Sequence, residues 1–213
     1  MARRAATQQD GRPTEKARAT REALIDAAAE LFVDHGYGGM AVRDLAHRLN
    51  MTTGAIYGNF KSKANLLGEA IRTRIVRDLE EHGGRRYSET ALSDYLAHSF
   101  RDYRKRRALR ALIVEGAAAA RVDDDVRALL HDVMIEEQSR WAKLYRDVWV
   151  DQRLDPEVDP AGVMLFLLAS EVGLGVLEAF EVELPRPGVL STIVQRMVGS
   201  LSERSSPEPP RRR

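Results

Sequence analysis

Val42-Arg43-Asp44-Leu45-Ala46-His47-Arg48-Leu49-Asn50-Met51-Thr52-Thr53-Gly54-Ala55-Ile56-Tyr57-Gly58-Asn59-Phe60-Lys61-Ser62-Lys63 reads as two short helices joined by a three-residue turn, with a polar face on the second. Leu45, Ala46, Leu49 and Ile56 are its inward positions, and Ala46 is small where the two helices cross. Asn50 sits at the turn, where it adopts a left-handed backbone better than most non-glycine residues. Thr52 is placed to cap the second helix, because its hydroxyl can accept from a free backbone N–H. Thr53, Gly54 and Tyr57 then fall on the outer side. A unit of this shape holds one helix away from the protein surface, as a helix must be held to enter the major groove of DNA.

Helical signals continue on both sides. Upstream, Thr20 to His35 carries Leu24, Ile25, Ala28, Leu31 and Phe32 at spacings of three and four, with Thr20 as the expected N-cap and Gly36 as the stop. Downstream, Ser62 is the expected cap of a long helix with Leu66, Leu67, Ala70, Ile71, Ile75 and Leu79 on one stripe, ended by Gly83-Gly84. Five more helices are predicted over Glu89–Tyr103, Arg106–Arg121, Asp124–Val150, Pro160–Phe180 and Arg186–Leu201. The clearest breaks are Asp155-Pro156 and Leu184-Pro185-Arg186-Pro187, since Pro forces the preceding residue out of helix. The fold class is therefore all-α. Residues 1–19 read as a flexible basic arm, which is either a plain tail or a source of phosphate and minor-groove contacts. Residues 20–63 form a three-helix, helix-turn-helix domain, residues 64–203 a larger helical body, and residues 204–213 a disordered Pro-rich tail.

Charge supports this division. The whole chain has a formal net charge of only +1, yet residues 1–63 hold ten Arg or Lys against seven Asp or Glu. A basic first third on a slightly acidic body suits a module that meets phosphate and a body that does not. The 44% hydrophobic content is enough for a packed core. The chain has no cysteine, which excludes a disulfide framework, a thiolate zinc site and a cysteine nucleophile. Arg3 and Arg4 are not followed by an apolar stretch, and the longest apolar run, Val163 to Ala169, is too short for a bilayer. The expectation is a cytoplasmic protein with no membrane segment.

Several of these residues carry a specific resemblance. Ala27 to Phe32, Gly36-Tyr37, Val42-Arg43-Asp44-Leu45-Ala46, Gly54-Ala55-Ile56-Tyr57, Phe60, Lys63 and Leu66 resemble the TetR family of transcriptional regulators in identity and spacing. The likeness covers about Thr20 to Leu67. It implies a two-fold homodimer that binds a palindromic operator on double-stranded DNA through three N-terminal helices. It also implies a body that takes a small-molecule effector, with release of a repressor from DNA as the usual outcome. Carried over by position, Thr53, Gly54, Tyr57 and Asn59 lie on the reading helix and Lys63 holds phosphate. Arg43, Thr52 and Lys61 complete the expected DNA-facing set. The sequence departs from the family where Met40-Ala41 replaces the usual Thr or Ser ahead of the first short helix. The weaker cap there is expected to lower operator affinity by roughly 1 kcal/mol.

In the body, Leu165, Leu168, Val172, Val176 and Phe180 form one stripe, alongside the small residues Ala169, Gly173 and Gly175. Val189, Ile193, Met197 and Leu201 form a second stripe. The resemblance places dimerisation on these last two helices; the other reading is ordinary core within one chain. Trp141, Tyr145 and Trp149 recur at i, i+4 and i+8, as either core or pocket lining. Glu115 and Glu171 interrupt apolar helices and need partners, which could be an arginine such as Arg110 or Arg121, or a polar ligand. His98, Glu115, His131, Trp141, Tyr145, Phe166 and Glu171 are the candidate effector contacts, around a mostly apolar pocket. Asp123-Asp124-Asp125 would suit a magnesium ion, but acidic residues at a helix start also cap free N–H groups, and a cap is the reading taken. No metal or cofactor is expected. There is no Gly-rich phosphate loop, nucleophile elbow or His-Glu-x-x-His, and the five histidines are dispersed, so catalysis is not expected. The remaining alternative is a helical module that binds another protein.

Overall fold

A computed structural model describes residues 15–83, 97, 100–101, 103–151, 155, 157–186 and 188–200; for 79–80, 82–83, 140–151, 160 and 164 it describes the backbone alone. The described residues form α1 (Glu15–Gly39), α2 (Val42–Arg48), α3 (Thr53–Asn59), α4 (Lys63–Gly83), a 3₁₀ turn (Tyr103–Arg106), α5 (Arg107–Ala120), α6 (Asp124–Asp151), α7 (Pro160–Ala179) and α8 (Val189–Gly199). The protein is all-α, as its apolar spacing requires.

α1 buries the predicted stripe of Leu24, Ile25, Ala28, Leu31 and Phe32. Its start differs from expectation. The helix begins at Glu15, and Thr20 lies inside it with its hydroxyl donating to the Lys16 carbonyl at 2.8 Å. A threonine hydroxyl can turn back on the preceding turn as readily as it caps, and residues 15–19 contain no Gly or Pro to stop the helix. Five residues read as arm are therefore helical, and residues 1–14 lie outside the described part. Helical geometry breaks at Gly36, with φ 71° and ψ 167°, before a last turn reaches Gly39. Only glycine takes that backbone without strain.

The two short helices follow the sequence reading closely. Asn50 has φ 51°. Thr52 caps α3, accepting from Ala55 N at 3.1 Å. Ala41 precedes α2 without any side-chain cap, as its methyl group dictates. Ser62 caps α4 by accepting from Asn65 N at 3.0 Å.

α1 packs on α4 and α5, α4 on α6, and α5 on both α6 and α7. One core of buried residues runs from Leu24, Phe32, Leu45 and Ile56 through Leu67 and Ile71 to Leu112, Val126 and Val133. Packing is thus continuous across residue 63, where the sequence divides head from body. At Gly68 a Cβ would run into the side chain of Leu129, so glycine is what lets α4 and α6 approach.

In the body, a charged network sits between helices. Arg106 donates through Nε to Asp78 of α4 at 2.8 Å and through Nη1 to Glu171 of α7 at 2.9 Å. Arg110, only 1% exposed, grips Glu178 with Nε at 2.9 Å and Nη2 at 2.6 Å, and donates to the Tyr103 carbonyl at 2.6 Å. Its Nη1 also lies 3.3 Å from Glu171. These bonds give Glu171 the arginine partner that its apolar setting demands.

Two expectations about the last helices change. Residues 161–179 of α7 are long and apolar enough, by length and composition, to cross a membrane, although no unbroken apolar run in the sequence suggests it. Both acidic residues in that stretch, Glu171 and Glu178, are turned onto Arg106 of the 3₁₀ turn and Arg110 of α5, which places that side of the helix against protein. α8 begins at Val189, three residues after the expected Arg186, because Gly188 ahead of it has φ 97°. The helix predicted over Glu89–Tyr103 lies almost wholly outside the described residues, and its last residue, Tyr103, belongs to the 3₁₀ turn.

Candidate nucleic-acid interface

α3 is seven residues long and buries only Ile56. A helix this short is not stable alone, so its position is set by Ile56 in the core and by the Thr52 cap. Its remaining side chains face outward. Thr53, Gly54 and Asn59 are exposed, and Tyr57 is 51% exposed. A Cβ at Gly54 would meet only Thr52 Oγ1, at 3.8 Å, and one at Gly58 would meet nothing within 4 Å. Nothing inside the chain requires glycine at either position; together they keep the outer surface of α3 low beside the Tyr57 ring. Asn59 turns its amide back to donate to the Ala55 carbonyl at 2.9 Å.

The flanks are basic. Arg43 at the start of α2 is exposed, with Asp44 its nearest acidic neighbour at 3.7 Å. Lys61 is exposed, and its backbone N–H donates to Asn65 Oδ1 at 3.3 Å. Lys63, at the first turn of α4, has its Nζ 4.5 Å from the centre of the Tyr37 ring. Withdrawal from water lowers its pKa below the usual lysine value, opposed in part by the nearby Asp123 charge. Thr52, Thr53, Gly54, Tyr57 and Asn59 thus lie on or beside α3, Lys61 and Lys63 at the entry to α4, and Arg43 is exposed at the start of α2.

Tyr37 was legible only as part of the resemblance, yet it is a hub. Its hydroxyl donates to Asp123 Oδ2 at 3.0 Å and its amide donates to Glu115 Oε1. Burial, followed by the hydrogen bond to Asp123, pushes its pKa up to about 12. Asp123 also accepts from the backbone of Asp125 and Val126, at 3.0 and 3.1 Å, which makes the acidic triplet a helix cap. Those bonds, that to Val126 foremost, hold its carboxyl below the usual range. No local pattern could reveal these contacts, because Tyr37 and Asp123 are 86 positions apart.

The described candidate effector contacts, Glu115, His131, Phe166 and Glu171, do not converge. Phe166, 54% exposed, lines a groove of about 340 Å³ between α7 and α8, with Val163, Leu167, Val194 and Met197. Glu115 faces Tyr37 and Glu171 faces arginines. His131, expected beside a cavity, is a surface side chain 3.4 Å from Asp132, because its position on α6 points away from α4 and α5. His98 lies outside the described residues, as do the side chains of Trp141, Tyr145 and Trp149. On α7 and α8, Leu165, Leu168, Leu177, Val189, Ile193 and Met197 are all exposed in the single chain.

A capped helix-turn-helix on a helical body is an arrangement suited to a DNA-binding regulator. The comparisons agree. Residues 24–70 match the sequence model for bacterial regulatory proteins of the TetR family. The transcriptional repressor KstR2 of Mycolicibacterium smegmatis is 36% identical over 52 residues, which is 24% of this chain and 25% of that protein. That match thus spans about a quarter of the relative's length. The transcriptional regulator UidR of Escherichia coli K12 is 25% identical over 192 residues, covering 87% of this chain and 94% of UidR. In fold, the chain is similar to a TetR-family transcriptional regulator from Rhodococcus sp., with a TM-score of 0.73, 18% identity, and coverage of 86% of this chain and 98% of that one. The chain is thus similar to TetR-family regulators in sequence over residues 24–70 and in fold over most of its length.

Proposed function

We propose that this protein is a ligand-responsive transcriptional repressor that binds a palindromic operator as a homodimer. The single observation that carries the reading is the outer face of α3: exposed Thr53, Tyr57 and Asn59 beside two glycines, on a helix anchored by one buried residue. Such a face suits base edges, while Arg43, Lys61 and Lys63 suit phosphate. Residues 20–63 act as the DNA-binding domain and residues 64–203 as the dimerisation and effector body. The repressor name of KstR2 supports the direction of control. The protein works in the cytoplasm, where its operator is, and its role is binding rather than catalysis.

The second copy covers the exposed apolar residues of α7 and α8. A two-fold axis there matches an operator with two half-sites, about one helical turn, or 34–36 Å, apart. A small molecule in the body favours one tilt of α4, which carries the DNA-binding helices and is tied to the body through Asp78 and Arg106. The effector must prefer the tilt that does not fit DNA, because equal affinity for both shifts nothing. An effector that binds tightly yet leaves operator affinity unchanged would rule out this coupling.

The test is selection of sites from random DNA by the full chain and by its Tyr57→Ala variant. The expected result is an enriched palindrome bound by the wild type and lost by the variant, with the same melting temperature in both. No enriched sequence, or equal binding by the two proteins, would end the DNA-binding reading.

A further inference from the structure

Tyr37 is held by four residues at the junction of the DNA-binding helices with the body. Its amide is taken by Glu115 of α5 and its hydroxyl by Asp123 Oδ2 at 3.0 Å, at the start of α6. Its ring stacks on Phe32, with centroids 6.0 Å apart and planes 20° apart. Lys63 Nζ lies over the same ring at 4.5 Å. The backbone leading into Tyr37 runs close across the Glu115 carboxylate: a Cβ at Gly36 would stand 3.1 Å from its Oε1. Asp123 is itself pinned by the amides of Asp125 and Val126.

We propose that Tyr37 is a positioning residue for the Lys63 ammonium, so that the phosphate contact of the DNA-binding helices is assembled jointly with Glu115 and Asp123 of the body. The inference rests on Lys63 meeting phosphate, as proposed above. A lysine side chain is long and flexible, and ordering it on binding lowers affinity. A ring face beneath the ammonium and a carboxylate nearby restrict it before DNA arrives. Neither Glu115 nor Asp123 lies in residues 24–70, which match the family's DNA-binding domain. A shift of α5 against α6 therefore has a route to Lys63 through Tyr37, beside the direct packing of both helices on α4.

The experiment is a double-mutant cycle on operator binding by the full chain, using the selected palindrome as probe and titrating salt. Tyr37→Phe keeps the ring and removes the bond to Asp123; Lys63→Ala removes the ammonium. Tyr37→Phe is expected to weaken binding roughly three- to tenfold and to reduce the salt slope by up to about 0.9, the share of one phosphate contact. In the Lys63→Ala background it should cost less than about twofold, since the residue through which it acts is gone. Asp123→Ser keeps a capping oxygen but cannot reach Tyr37, and should behave the same way; it decides the matter if Tyr37→Phe melts early. Equal losses in both backgrounds, or no loss in the wild type, would overturn the proposal. Unchanged affinity and slope in Lys63→Ala would instead overturn the phosphate contact beneath it, and a wild type that selects no DNA would overturn the regulator reading.

Discussion

α3 and α7 both leave a row of side chains exposed, and their chemistries are opposite. α3 offers Thr53, Tyr57, Asn59 and two glycines over seven residues. α7 is twenty residues long and exposes Leu165, Phe166, Leu168 and Leu177. A polar, low-relief surface flanked by Arg43 and Lys61 is suited to a hydrated, charged partner such as DNA. A row of large apolar side chains is suited to another protein surface. Two exposed helices of one chain thus call for two different partners. Their anchors differ as well: α3 is fixed by one isoleucine and a cap, whereas α7 is fixed by ion pairs to α5.

The largest expected effect falls on the anchoring of α7. Arg110→Met leaves Glu178 without its bidentate partner inside the body, and should destabilise the fold by about 3–5 kcal/mol in denaturant unfolding. A loss under 1 kcal/mol would mean that α7 is held by apolar packing and not by charge. Next comes its open face. Ile193→Lys puts a charge in the apolar patch of α8, where it should weaken self-association by about 2 kcal/mol or more while the single chain stays folded. Sedimentation that shows the same species for both proteins would remove this face from the dimer. Tyr57→Ala should cost about 1–3 kcal/mol of operator binding, read by titration, with no change in melting temperature. The smallest effect belongs to the cap. Thr52→Ala should lower stability by about 1 kcal/mol and operator affinity along with it, because α3 has so little else to hold it. Were Thr52→Ala neutral in both measurements, Ile56 would be a sufficient anchor for the reading helix.

The two regions also differ in how far they could be read in advance. The helix-turn-helix was legible because its determinants are local. Asn50 at a left-handed turn, Thr52 and Ser62 as caps, and Ile56 as the inward residue all act within four positions of the backbone they organise. The start of α1 was misplaced for the same kind of reason: a threonine hydroxyl serves equally as a cap or as a bond to the preceding turn, and only the residues around it choose. In the body, helix spans followed from apolar spacing, but the roles of single residues did not. Glu171 needed a partner, and the sequence offered Arg110 and Arg121; the fold supplied Arg110 together with Arg106. Glu115 needed one too, and found a backbone amide where an arginine was expected. His131 shows the converse: a titratable residue on a helix says nothing about which way it faces.

The order of helices, α3 and its caps, and the exposed polar face of α3 were determined by the sequence itself, because each depends on interactions between near neighbours along the chain. Tertiary structure alone decided that Tyr37 bridges to Asp123 and Glu115, that Arg106 ties α4 to α7, and that the apolar stripe of α7 is left uncovered. Those outcomes depend on which helices pack together, and in an all-helical chain many packings bury similar stripes. Close fits such as Gly68 against Leu129, and the pairing of buried charges, select one of them.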